Sequence, residues 1–248
     1  VCFFGEIEKT GKDVTLFKVG DQVFGATDMR FGAYAEYKCL PENGALALKP
    51  NNITHKEAAV LPFGGTTALY FIRKANIKTG LKILINGASG AVGSAAIQLA
   101  KYFGAHVTGV CSTANIDLVK SLGADKVIDY TNEDFTQNRE TYDVIFDTVN
   151  KLSLSTGLLS LNKKGILILS AAGMSEAIKG LWVSMTGTKK VITGMISQTA
   201  EDIIFLKELI EAGKMIPVID RTYSLEQIAE AHEYAEKGHK KGNLAIEL

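Results

Sequence analysis

Between Lys82 and about Ile196, short apolar runs alternate with stretches of helical size. The runs KILIN, HVTGVC, KVIDY, YDVIFDTV, GILILSA and KVITGMI are rich in Val and Ile and predict six strands. Between them, AVGSAAIQLAKYFG, NIDLVKSLG, SLSTGLLSLN and MSEAIKGLWVSM predict helices. Strands that are apolar at nearly every position are covered on both faces. Their alternation with helices predicts an α/β fold built on a doubly wound parallel sheet.

Residues 1 to 50 follow another pattern. GDQVFGA and FGAYAEYKC set Val23, Phe24, Tyr34, Ala35 and Tyr37 in short runs bounded by Gly and charge, which predicts strands and turns. LPENGALALKPNNIT then supplies two prolines and an Asn-Gly turn before any helix can begin. Thr54, with Glu57 three residues later, predicts a capped helix through AAVLP, and GGTTALYFIRKA predicts a further helix. After Thr199, AEDIIFLKELIEAGK predicts an amphipathic helix ended by Gly. IPVIDRTYSLEQIAEAHEYAEKG predicts a strand and a Ser-capped helix, and GNLAIEL a closing strand. These last elements lie beyond the six-strand run and are expected to rejoin the amino-terminal β-rich piece. The expected division is residues 1–73, 74–198 and 199–248.

Composition narrows the function classes. The chain has 248 residues, with 27 Lys plus Arg against 27 Asp plus Glu, so it offers no electrostatic reason to expect nucleic acid or an anionic membrane as partner. Its apolar stretches are strand-sized and broken by Gly, too short for a membrane span. Cys2, Cys39 and Cys111 are scattered without metal-ligand spacing or an even-numbered framework, which suits a reducing, cytoplasmic setting. The opening VCFFGEIEKTGKDV has no initiating Met, signal-peptide pattern or helix cap and reads as the interior of a domain.

Chemistry concentrates in one loop. After KILIN comes Gly87-Ala88-Ser89-Gly90-Ala91-Val92-Gly93, and a helix follows at once. The dinucleotide fingerprint places three small residues here, Ala88, Gly90 and Gly93, with Ala where the bare motif has Gly. Gly90 would let a pyrophosphate approach, and Gly93 would let the helix lie close on the strand. The N–H groups of Ala91 and Val92 would then face the anion at the positive end of the helix dipole. A strand-to-helix turn needing small residues only for close approach is the alternative. The loop's place after the first of six alternating strands favours nucleotide binding, although S-adenosylmethionine would use a similar loop.

The second strand of the run, HVTGVC, bears on which nucleotide. A site for NAD(H) places an acid about twenty residues beyond the glycines, on the ribose 2′-hydroxyl. Here stand Cys111, Ser112 and Thr113, all uncharged, and the first acid is Asp117, inside the next predicted helix. Two hydroxyls that can donate to a 2′-phosphate favour NADP(H), although no Arg or Lys stands beside them and Asn115 occupies a nearby position. Capping of the next helix is the other use of Ser112 and Thr113.

These residues, with GDQVFG, GAYAEY, AAVLPFGGTTALY, LINGASGAVGSAAIQLAK and LGADKVIDY in this order, resemble signatures of the medium-chain dehydrogenase/reductase superfamily. The zinc-independent branch of NADPH:quinone oxidoreductases related to zeta-crystallin is most similar. The resemblance implies a Rossmann domain set into a β-rich, GroES-like catalytic domain, with this chain lacking much of the latter's amino-terminal part. It also implies an enzyme that passes hydride from NADPH to a quinone or α,β-unsaturated carbonyl compound, as a homodimer paired through KVITGMI. An inactive nucleotide-binding scaffold and a zinc alcohol dehydrogenase are the rival readings.

The same resemblance places Thr67 near the nicotinamide ribose and carboxamide, and Tyr130 near the adenosine phosphate. It sets Ser170, Ala171 and Met195 along the nicotinamide side and Asn243 in a late loop over the nicotinamide. Asn150 stands after FDTV where the family commonly has Gly, so the loop there is expected to differ. Zinc is not expected. In the zinc-dependent cousins a His-Glu pair precedes the glycine matching Gly5, where this chain has Val1 and Cys2, and Phe63 stands where a zinc Cys would. VFGATDMRF and GAYAEY leave no room for a four-cysteine structural lobe. His55, His106, His232 and His239 are dispersed.

Overall fold

The computed structural model describes residues 2–27 and 31–248. Val1 and the stretch 28–30, part of the zinc and lobe readings, lie outside the described residues. The chain divides into two compact units, residues 1–67 with 197–248, and residues 68–196. The division falls inside a helix, six residues before the boundary expected at residue 73, and the carboxy-terminal segment groups with the amino-terminal one.

In the second unit six strands form one parallel sheet: β4 (Lys82–Asn86), β5 (His106–Cys111), β6 (Lys126–Asp129), β7 (Tyr142–Asp147), β8 (Leu161–Leu169) and β9 (Lys190–Ile192). Their order is β6-β5-β4-β7-β8-β9, so the chain starts in the middle, builds outward to one edge, then returns and builds to the other. Helices α2 (Ala91–Tyr102), α3 (Ile116–Ser121), α4 (Leu154–Leu159) and α5 (Met174–Thr186) lie between the strands in the chain. Ile83, Leu84, Ile85, Val110, Ile128, Ile145, Phe146, Leu167 and Ile168 are each at most 1% exposed. Removal of each such side chain from water is worth about 1.5–3 kcal/mol, which is why the continuous apolar runs fold as covered strands. KVITGMI yields a strand of only three residues, because Gly194 turns left-handed at φ 145° and ends it.

The first unit carries an antiparallel sheet, β1 (Cys2–Glu6), β2 (Gln22–Ala26) and β3 (Leu46–Leu48), and a parallel pair, β10 (Ile219–Ser224) with β11 (Asn243–Glu247). FGAYAEYKC forms no strand; Tyr34 and Tyr37 are exposed, with the Tyr34 ring edge-on to His232. Alternating apolar residues make a strand only where a neighbouring strand takes their backbone hydrogen bonds. The cap at Thr54 forms as predicted: Thr54 N–H donates to Glu57 at 2.7 Å and Glu57 N–H to Thr54 Oγ1 at 3.3 Å. The two helices expected after it are one, α1 (His55–Lys74), which runs through Pro62. The Pro62 carbonyl accepts from the Thr66 hydroxyl at 2.7 Å. Gly65 allows α1 to meet α6 (Ala200–Glu211), since a Cβ there would lie 2.7 Å from Leu206. The helix expected to be Ser-capped starts as a 3-10 turn, Leu225–Gln227, with Ser224 as its cap, and continues as α7 (Ile228–Glu236) from Gln227.

Candidate dinucleotide site

In a parallel sheet whose strand order reverses at the centre, the loops at the carboxyl ends of the strands flank a crevice beside the first strand. Here that strand is β4, and the loop after it is Gly87–Gly90. Gly87 takes φ 81°, and its N–H and that of Ala88 both donate to the Val110 carbonyl, at 3.2 and 2.9 Å, which ties the loop to the end of β5. Gly90 caps α2 without a side-chain bond, and the first backbone bond of the helix runs from Ser94 N–H to the Gly90 carbonyl at 2.9 Å. The N–H groups of Ala91, Val92 and Gly93 therefore have no partner among the described residues and carry the positive end of a twelve-residue helix dipole.

The two glycines differ in what requires them. A Cβ on Gly93 would lie 2.1 Å from the Gly87 carbonyl oxygen and 2.8 Å from Ala88 Cα, so the chain's own backbone demands glycine. A Cβ on Gly90 would meet only Gly87 O, at an ordinary 3.5 Å, in an extended conformation open to any residue. Among the described residues nothing demands glycine at 90.

The carboxyl ends of the strands hold the other expected residues of this unit. Ser112 and Thr113 follow β5, Tyr130 follows β6 with its N–H donating to the Cys111 carbonyl at 3.0 Å, and Ser170 and Ala171 follow β8. Met195, 84% exposed, stands three residues beyond β9. Thr67 and Asn243 belong to the other unit. Thr67 is buried in α1. Asn243 opens strand β11 instead of lying in a loop, with its backbone and side-chain amides both donating to the Val218 carbonyl, at 2.9 and 3.1 Å. Pairing with β10 at Ile219 extends the chain through this point.

Two of the residues at the adenosine end act differently from their sequence reading. The Cys111 side chain is 1% exposed inside the sheet, so only its backbone borders the loop. Thr113 is not a free donor: its hydroxyl bonds the carboxylate of Asp129, which also accepts from Thr131 and Asn132. The Thr113 hydrogen bond, with those from Thr131 and Asn132, holds the Asp129 carboxyl below the usual range against the opposing effect of burial. The sequence shows no acid at the end of β5, but the register Cys111↔Asp129 brings one beside it from β6. Ser112 remains as a neutral donor there, with the Asn115 side-chain amide given to the Ser89 and Ser112 hydroxyls.

The loop after β7 is pinned to the loop after β4. Fully buried Asp147 accepts from the Asn86 side chain at 3.1 Å and from the N–H groups of Val149 and Leu152. Thr148 donates through both its N–H and its hydroxyl to the Asn86 carbonyl. Asn150 adopts φ 53°, the left-handed region that Gly enters freely and Asn tolerates best among other residues, so the departure from Gly keeps the turn.

Burial pushes the thiols of Cys2 and Cys111 up to about 11, with Asp129 adding to the rise at Cys111. Both stay protonated and unreactive well above neutral pH. At pH 8.5, native protein is expected to take one iodoacetamide per chain, at exposed Cys39, and three after denaturation; rapid labelling of Cys111 in the native state would contradict its burial.

The positions read for zinc do not assemble a donor set. Phe63 offers no ligand, and among the described residues no three His, Cys, Asp or Glu side chains stand together to hold a metal ion. No helix among the described residues is long and apolar enough to cross a membrane.

A family profile described as zinc-binding dehydrogenase matches residues 122–246. The 2-methylene-furan-3-one reductase of Solanum lycopersicum is 36% identical over 98% of this chain and 61% of its own length, so the chain spans less than two thirds of that relative. A chloroplastic quinone-oxidoreductase of Triphysaria versicolor is 34% identical, over 98% of this chain and 77% of its own. The solved structure of the quinone oxidoreductase from Coxiella burnetii superposes with a TM-score of 0.88 at 29% identity, covering 100% of this chain and 78% of that one. That of the Escherichia coli quinone oxidoreductase, solved with NADPH, gives 0.83 at 26%, covering 98% and 80%. The fold is the Rossmann-type α/β sheet of these proteins, and the chain belongs to the medium-chain dehydrogenase/reductase family.

Proposed function

We propose that this protein is an oxidoreductase that uses NADPH to reduce a quinone or an α,β-unsaturated carbonyl compound. The observation that carries the reading is Gly90, a glycine the fold itself does not need, beside the unpaired N–H groups at the start of α2. When bound, NADPH supplies the hydride from its nicotinamide. The chain's own part is to hold and orient. The N–H groups of Ala91 and Val92 bind the pyrophosphate, and Ser112 donates to the 2′-phosphate. Tyr130 borders the adenosine, while Ser170, Ala171 and Met195 line the nicotinamide side.

The acceptor class draws support from the relatives' names: a 2-methylene-furan-3-one reductase, an NADPH-dependent alkenal/one oxidoreductase of Arabidopsis thaliana and quinone oxidoreductases. The reading includes a homodimer joined along the β9 edge of the six-stranded sheet. The test is NADPH oxidation at 340 nm with 1,4-benzoquinone and with a short-chain enone as acceptors. Turnover with either is expected. Turnover with NADH alone would overturn the cofactor, and calorimetric binding of NADPH without turnover on a broad acceptor panel would select a nucleotide-binding scaffold instead.

A further inference from the structure

Asn115 follows the end of β5 and is 7% exposed. Its side-chain amide donates to the Ser89 hydroxyl in the glycine loop at 3.1 Å and to the Ser112 hydroxyl at 3.2 Å. Its Oδ1 is enclosed and has no hydrogen-bond partner. That bare oxygen decides which way the amide faces. Turned over, the side chain would accept from both serines and enclose an unpaired NH2. Orphaned buried N–H groups are rarer than under-satisfied carbonyl oxygens, so the lone acceptor is the smaller loss. The amide gives one N–H to each serine, and a hydroxyl that accepts in this way keeps its own proton for another acceptor.

The two hydroxyls so prepared stand at two different places. Ser89 lies two residues before Ala91, where the pyrophosphate is held, and Ser112 at the strand end where the adenosine ribose lies in this fold. We propose that Asn115 is a positioning residue that makes Ser89 and Ser112 hydroxyl donors to the pyrophosphate and the 2′-phosphate of one NADPH, and so sets a preference for NADPH without a basic side chain. The proposal rests on the dinucleotide reading and deepens it. Thr113 cannot share this work, since its hydroxyl donates its hydrogen bond to Asp129. The Asp129 carboxylate beyond it favours an unphosphorylated ribose, so the direction of the Ser112 hydroxyl tips the balance.

The test is the dissociation constants of NADPH and NADH, by calorimetry, for the parent protein, Asn115→Leu, Ser112→Ala and the double variant. Asn115→Leu is expected to lower the preference for NADPH over NADH about tenfold, the worth of one hydrogen bond to a charged group. Ser112→Ala lowers it alike and leaves NADH affinity within about twofold. In its preference for NADPH over NADH the double variant is expected to match Ser112→Ala, because Asn115 acts on the 2′-phosphate through Ser112 and its effect through Ser89 falls on the pyrophosphate that both nucleotides share. If Asn115→Leu does not fold, Ser112→Ala alone decides: an unchanged preference overturns the proposal. Equal losses for both nucleotides in Asn115→Leu, or losses of preference that add in the double variant, mark a merely structural asparagine and overturn it too. A parent protein that binds both nucleotides, with variants that keep its preference, sinks this inference alone. A parent that binds neither sinks the dinucleotide reading with it.

Discussion

Gly93→Ala is expected to destabilise the nucleotide-binding unit by about 3 kcal/mol or more, at the top of the range for overpacking a filled site. The new methyl carbon would lie 2.1 Å from the Gly87 carbonyl oxygen and under 3 Å from two backbone atoms of Ala88. These are not the ends of flexible side chains. Gly87 and Ala88 are themselves bonded to the Val110 carbonyl, so the loop cannot retreat without breaking its tie to β5. Helix α2 must move instead, and Ala95, Ala96, Ile97, Leu99 and Ala100, all at most 4% exposed, move with it. The melting transition of this unit should fall by roughly 6–12 °C, at about 2–4 °C per kcal/mol. A melting point within about 2 °C of the parent's would show that the helix yields more cheaply than its burial implies.

Gly90→Val is expected to do the reverse: it leaves the fold and removes the ligand. The backbone there is extended, φ −78° and ψ 179°, and a Cβ meets only Gly87 O at 3.5 Å. Loss of a glycine cap to valine costs the helix about 1 kcal/mol at most. A branched side chain set over the unpaired N–H groups of Ala91 and Val92 takes the space of the pyrophosphate, however. The affinity for NADPH should fall by about two orders of magnitude or more, the loss of several charge-assisted hydrogen bonds together. Calorimetry beside a thermal melt reads both halves. Unchanged binding in a folded Gly90→Val protein would mean that this loop is a turn and nothing more. The pair of variants separates the two uses of glycine that the bare motif runs together.

Some of this was legible in order and some only in part. The six apolar runs and the capping box at Thr54 and Glu57 were plain, because each depends on neighbours along the chain. Pro62 and the Gly64-Gly65 pair read as a break, yet α1 continues through them. The missing N–H of Pro62 is one bond in twenty residues, and Gly65 is where α6 comes close. FGAYAEYKC has the alternation of a strand without a neighbour to bond it. Asn243 read as loop and is strand for the opposite reason, since β10, some twenty residues earlier, supplies the edge it pairs with.

What the sequence by itself determined is the parallel sheet, the glycine loop at its first strand and the family, since local periodicity and ordered motifs carry them. The tertiary structure alone decided how the groups in that loop are used. Parallel pairing of β5 with β6 brings Asp129, eighteen residues beyond Cys111, level with it, where its carboxylate accepts the hydrogen bond of Thr113. The turn after β5 folds Asn115 back onto Ser89, twenty-six residues away, and fixes which hydroxyls can donate. Donor and acceptor roles depend on partners distant in the chain, and only packing in three dimensions assigns them.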